Sequence, residues 1–141
     1  WLSRVEIHAG DVGRERMGLD AAVYAQLTLR VDAVVHAAAL VNWVLPYSQM
    51  REPNVLGTLS ILRFATTTKL KYFFHISTIS TSTGSETQMW PEPARLGAYA
   101  ASKWVSELHV SQCLTAGSDI YFSSSQMSNI RSLTGPRTAW C

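Results

Sequence analysis

Cysteine is nearly absent from this sequence, and long apolar runs are missing altogether. Cys113 and Cys141 are too few and too far apart for a disulfide framework or a Cys-x-x-Cys metal site. The first falls in an apolar helical pattern, and both are expected to be free thiols. No apolar run reaches the roughly 18 residues that a membrane span needs, and the start carries no signal-peptide pattern, so the chain reads as cytoplasmic. Basic residues are scattered, with no Lys/Arg run and no basic stripe between aromatics. With a formal charge of only +2, nucleic acid is not an expected partner. His8, His36, His75 and His109 show no i, i+4 pair and no acidic cluster at ligand spacing, so no metal centre is expected.

What is present is ordinary in bulk and informative in order. A chain of 141 residues with 47% apolar content suits a single globular domain. Short β-rich runs alternate with longer helical ones. VEIHAG (5–10) reads as a strand ending in GDVG, LDAAVYAQL (19–27) as a helix, and VDAVVHAAA (31–39) as a buried strand entering a small-residue loop. In PNVLGTLSILRFATTT (53–68), Val55, Leu59, Leu62 and Ala65 repeat at helical spacing, and Pro53 suits a first helical position. KYFFHIS (71–77) is an aromatic strand, followed by a polar loop over 78–97 and a helix that begins in GAYAASKWVSEL (97–108). SDIYF (118–122) reads as a weak last strand.

Strands separated by whole helices cannot pair as hairpins, so each step should be a right-handed crossover into a parallel sheet. The expected fold is α/β, a doubly wound, Rossmann-like parallel sheet. Ligands of such sheets sit beyond the carboxyl ends of the strands, which here carry GDVG, HAAA and HISTIST. All three segments should face one crevice. His36 and His75, at strand ends, are expected as core-edge residues. Trp43, Trp90 and Trp104 are expected to pack, although each could line a substrate channel.

Tyr99 and Lys103 lie four residues apart in the last helix. On a helix that spacing places both side chains on one face, about 5 to 6 Å apart, so the ammonium can approach the phenol. The spacing alone would arise by chance in roughly one chain of ten of this composition. Its surroundings make it specific.

VDAVVHAAALVNWVLPYSQMREPNVLGT (31–58), followed by FFHISTIST and YAASK, resembles the thioester reductase domains of the extended short-chain dehydrogenase/reductase superfamily. Such domains end nonribosomal peptide synthetases, some polyketide synthases, carboxylic acid reductases and the fungal aminoadipate reductase. The resemblance covers about residues 5–110, and SNIRSLTGPRTAW (128–140) looks like a degraded copy of a later family segment. It implies NADPH-dependent reduction of an acyl or peptidyl thioester, carried on the phosphopantetheine arm of a carrier domain, to an aldehyde. A sugar-nucleotide epimerase or dehydratase of the same superfamily would share the Tyr/Lys pair. A remnant without catalysis is the third alternative.

Hydride addition to a thioester carbonyl develops an alkoxide, which needs a proton donor and a hydrogen-bonding partner. The resemblance implies Tyr99 as the acid. Lys103 would favour charge on the phenol and bond the nicotinamide ribose. From HISTIST, Thr78 would hold the carbonyl oxygen, with Ser77 the close competitor. Asp11 and Val12 would contact the adenine, Ala37, Ala38 and Ala39 would let backbone approach the dinucleotide, and Asn54 would support the active site or cap its helix. Two departures stand out. No Gly-x-x-Gly-x-x-Gly turn occurs, so the pyrophosphate-holding βαβ unit at the family's N-terminus is expected to be missing from 1–141, leaving one partial domain that is inactive alone. SSSQMSN (123–129) stands where the family has an apolar strand.

Overall fold

A computed structural model of the chain describes residues 2–81 and 96–115. Its regular elements are helix α1 (Ala21–Arg30), strand β1 (Ala33–His36), a helical turn α2 (Tyr47–Met50) running through a π-helical segment (Arg51–Leu56) into α3 (Gly57–Thr66), strand β2 (Tyr72–His75) and α4 (Ala98–Thr115). β1 and β2 pair in parallel, in the register Ala33↔Tyr72, Val34↔Phe73, Val35↔Phe74 and His36↔His75. The helical connection between two parallel strands confirms the α/β class and the crossover logic. Of the three expected strands that fall among the described residues, two form and pair.

Local chemistry accounts for the element boundaries. Asp20 caps α1 by accepting from the Ala22 amide at 2.8 Å. The helix stops at Val31, whose backbone is extended. Val34 and His36 turn inward with Phe73 and His75, while Val35, Tyr72 and Phe74 face out, the period-2 alternation of strands. Ile61, Leu62 and Ala65 of α3, Phe73 of β2 and Val110 of α4 form the core, with Val12, Met17, Val34, Leu59 and Cys113 against it. Cys113 is a free thiol, as expected.

Three expectations need correction. VEIHAG (5–10) is not a strand: the segment is exposed, Ile7 at 89%, and among the described residues no neighbouring strand supplies the ladder that would hold it. VDAVVHAAA is strand only over Ala33–His36, where β2 pairs with it; Ala37–Ala39 are irregular. The helix placed at 53–68 starts earlier, at Tyr47, so Pro53 lies inside it. There the backbone widens to a π turn, with the Gly57 amide bonding the Glu52 carbonyl five residues back. A proline has no amide to give and its ring crowds the preceding turn, which a local widening relieves. SDIYF (118–122), SSSQMSN (123–129) and SNIRSLTGPRTAW (128–140) lie outside the described residues, as do Trp90 and Cys141.

Candidate active site

The segments after β1 and β2 meet the N-terminal half of α4. Lys103 is fully buried there, and its ammonium donates to the Ile76 carbonyl at 2.7 Å, one residue beyond β2. His75 Nε2 lies 3.4 Å from the same nitrogen. Burial pushes the Lys103 ammonium down to about 8, opposed by the carboxyl of Glu107 one helical turn on. Below that pH the strand end therefore holds a positive charge, anchored by backbone.

Two buried histidines back this cation. His36 and His75 have their rings 5.3 Å apart, and burial, then the charge of Lys103, lowers them to about 4 and about 3. Both are neutral near pH 7. The Thr58 hydroxyl has one proton, given to the Asn54 carbonyl at 2.6 Å, so the 2.9 Å contact from His36 requires a proton on its Nε2. The two act as core-edge residues, as their positions in the sequence suggest.

Asn54 joins three elements. It leaves the π segment buried, its Oδ1 accepting from the Leu40 amide at 2.7 Å and its Nδ2 donating to the Leu40 carbonyl at 3.0 Å and to Ser102 Oγ at 2.8 Å. Ser102 in turn donates to the Tyr99 carbonyl at 2.7 Å, and Ser106 to the Asn54 carbonyl at 2.8 Å. The side chain thus binds the loop that follows Ala37, Ala38 and Ala39 to the turn of α4 that carries Tyr99 and Lys103. Tyr99 is itself buried, with its ring edge-on to Trp43 at 5.4 Å and 69°. Trp43 is 72% exposed, so apart from this contact it does not pack into the interior as expected.

The two candidate hydroxyls differ. Ser77 donates to the carboxyl of Glu107. Thr78 is half-buried; its hydroxyl oxygen accepts at a long 3.4 Å from the Ser80 amide, while its carbonyl accepts from Thr81. Glu107 was not singled out from the sequence. Its position, four residues past Lys103 and eight past Tyr99, gave the signal, since the three share one helix face. Burial raises its carboxyl above the usual range, while Ser77, Thr81 and Lys103 pull it back.

Asp11 and Val12 lie in the irregular segment before α1, with Val12 against the start of α3. Val12 packs against Gly57, where a Cβ would lie 2.8 Å from Val12 Cγ2, so the glycine leaves the room the turn occupies. Asp11 accepts from the Gly13 amide at 2.9 Å and lies 3.4 Å from Arg14 Nε, with its carboxylate still exposed. Exposed Ala37 and Ala38 leave the backbone bare beyond β1. Bare backbone, an exposed carboxylate and a cation beyond β2 suit a dinucleotide laid over the strand ends. Among the described residues no cluster of metal-ligating side chains occurs and no helix is long and apolar enough to cross a membrane.

Comparison with known proteins gives the same direction. Residues 1–121 match the NAD-binding family described as "Male sterility protein". A carboxylic acid reductase of Mycobacterium tuberculosis is 39% identical over 119 residues, which is 74% of this chain and 10% of that protein. The large subunit of L-2-aminoadipate reductase of Penicillium chrysogenum is 41% identical over 80 residues, 57% of this chain and 6% of that one. Among solved structures, the terminal R domain from the myxalamid PKS-NRPS biosynthetic pathway superposes with a TM-score of 0.72 at 38% identity, covering 80% of this chain and 30% of that domain. The chain spans a tenth or less of these two curated relatives. With a family match over residues 1–121, the chain belongs to the NAD-binding male sterility protein family, and it is similar to reductase domains of the extended short-chain dehydrogenase/reductase superfamily.

Proposed function

We propose that this chain is the catalytic part of an NADPH-dependent reductase that releases a carrier-bound acyl or peptidyl thioester as an aldehyde. The observation that carries the reading is the fixed Lys103 ammonium at the carboxyl end of β2, one helical turn from Tyr99. The relatives named as reductases support it, as does the likeness to an R domain of a peptide and polyketide assembly line.

The nicotinamide, when bound, supplies hydride to the thioester carbonyl carbon. Tyr99 gives its hydroxyl proton to the carbonyl oxygen as the double bond opens. Thr78 donates to the same oxygen, and charge developing there is stabilised by groups already in place. Lys103 takes the nicotinamide ribose and keeps a positive charge near Tyr99. Collapse of the resulting hemithioacetal frees the pantetheine thiol and leaves the aldehyde. Asp11 and Val12 would hold the adenine, the small Ala37–Ala39 would let backbone approach the dinucleotide, and Asn54 holds the loop and α4 together. Trp43, exposed beside Tyr99, lines the approach of the acyl chain.

The test is substrate class. The full-length protein, given an acyl thioester on a phosphopantetheinylated carrier domain and NADPH, should oxidise the cofactor and yield an aldehyde, with NADH a poorer donor. Turnover of a nucleotide sugar instead, with no thioester reduction, would move the chain to the epimerase reading.

A further inference from the structure

Glu107 has no part in the reaction just described, yet its carboxyl joins the Lys103 ammonium in tying α4 to the segment after β2. Ser77 donates to Glu107 Oε1, and Thr81 reaches the same oxygen at 3.1 Å. Thr81 has one hydroxyl proton, shared with the Thr78 carbonyl at 2.8 Å. Its amide also bonds that carbonyl, at 3.3 Å. Both ends of the short turn Ile79–Thr81 are therefore tied: Thr81 to the backbone of Thr78, and Ser77, just before Thr78, to the helix carrying Tyr99 and Lys103.

We propose that Glu107 is a positioning residue, which sets Thr78 by holding Ser77 and Thr81 and thereby commits the Ser77 hydroxyl elsewhere. The inference rests on the reductase reading, and it separates the two hydroxyls that the sequence leaves as competitors. Glu107 itself neither gives nor takes a proton in the reduction. Without the carboxyl, Ser77 and Thr81 would lose this shared partner on α4, and the turn would be held less closely than by the Lys103 bond to the Ile76 carbonyl and the carboxyl together.

Full-length wild-type protein, Glu107→Ala, Glu107→Gln and Ser77→Ala are compared for single-turnover hydride transfer to a carrier-bound thioester and for NADPH affinity. Removing the carboxyl lets Thr78 drift, and a displacement of about 1 Å at a reacting centre costs ~100-fold in rate, so Glu107→Ala should fall by about that factor. Its NADPH dissociation constant should stay near wild type. Glu107→Gln keeps an oxygen that accepts from both Ser77 and Thr81, so it should recover most of the rate. Ser77→Ala should fall less than Thr78→Val. Failure of the wild-type protein to reduce any thioester would refute the reductase reading itself. With an active wild type, an unimpaired Glu107→Ala, or a Glu107→Gln as poor as the alanine variant, would overturn the positioning role. Should Glu107→Ala not fold, Ser77→Ala, which removes one of the carboxyl's two ties, takes its place: an unimpaired rate would overturn the positioning role, and a partial loss, smaller than that of Thr78→Val, with a recovered Glu107→Gln would sustain it.

Discussion

Asn54 Nδ2 donates to Ser102 Oγ at 2.8 Å, joining two residues 48 positions apart in sequence. The same amide group closes both a donor and an acceptor bond with the backbone of Leu40. One side chain thereby sets the spacing between the loop after β1 and the helix that carries Tyr99 and Lys103. Both sides of the crevice depend on it.

Replacing Asn54 with alanine leaves the Leu40 amide and carbonyl and the Ser102 hydroxyl without their buried partner. Each such loss costs about 1 to 3 kcal/mol. Hydrogen exchange of the Leu40 amide in the full-length protein should therefore accelerate by at least ~10-fold, the factor for about 1.4 kcal/mol of local stability. An unchanged exchange rate would mean that the loop is held by something else.

Lys103 links the site to pH with a defined sign. Burial lowers its ammonium to about 8 in the folded protein, against an ordinary 10.5. Between those values the unfolded chain holds more protons than the native one, so the cost of the buried charge, complete below about pH 8, is relieved as pH rises toward 10.5. Stability and the proposed chemistry then oppose each other, since the ammonium proposed to hold the ribose and to keep charge near Tyr99 is lost over the same range. The hydride-transfer rate should decline above about pH 8, while the stability advantage of Lys103→Met over wild type shrinks. A rate that is flat from pH 7 to about 9.5 would contradict an essential Lys103 cation.

His36 and His75 give the acid side of the profile. Both are held below their ordinary 6.5, to about 4 and about 3, so their contribution is complete above pH 6.5 and is lost as pH falls through those lower values. In His75→Asn the acid-induced loss of tertiary structure should shift to lower pH, read by near-ultraviolet circular dichroism. A shift to higher pH would reverse the assignment.

How far the sequence speaks depends on whether a feature is local. The crossover from β1 to β2 through a helix, the helical stripe Val55, Leu59, Leu62 and Ala65, and the shared face of Tyr99 and Lys103 follow from periodicity, which the chain carries in itself. VEIHAG reads as a strand by composition, but a strand exists only beside a partner, and no periodicity supplies one. Pro53 reads as a helix start because proline is welcome there, whereas the contacts of Asn54 with Leu40 and Ser102 fix a helix around it. Glu107 lay on the right face, but its link to Ser77 spans 30 positions and depends on how α4 docks. Thr78 and Ser77 cannot be separated by spacing, because adjacent residues on a loop have no fixed face.

Thr78→Val keeps the size of the side chain and removes the hydroxyl. Loss of one donor to a developing oxyanion costs about 10² in rate or more, and Thr78→Val should fall by that factor in single-turnover reduction. Ser77→Ala should lose less. Reversal of that order would give the role to Ser77, and no loss in either would reduce both to turn residues.

The sequence 1–141 by itself should not bind NADPH with useful affinity. It has no glycine-rich turn to set a helix N-terminus against the pyrophosphate, and a two-stranded sheet is at best marginally stable alone. Calorimetric titration of the 141-residue chain with NADPH should show no saturable heat. Micromolar 1:1 binding would show that the strand ends suffice without that turn.

The most direct measurement of the central claim is single-turnover NADPH oxidation by full-length Tyr99→Phe protein with a carrier-bound thioester, alongside its affinity for NADPH. The account predicts that aldehyde formation is abolished while NADPH still binds, because the phenol supplies the proton and is not the main anchor of the cofactor; Lys103→Ala should weaken both. A Tyr99→Phe protein that keeps most of its rate would contradict it.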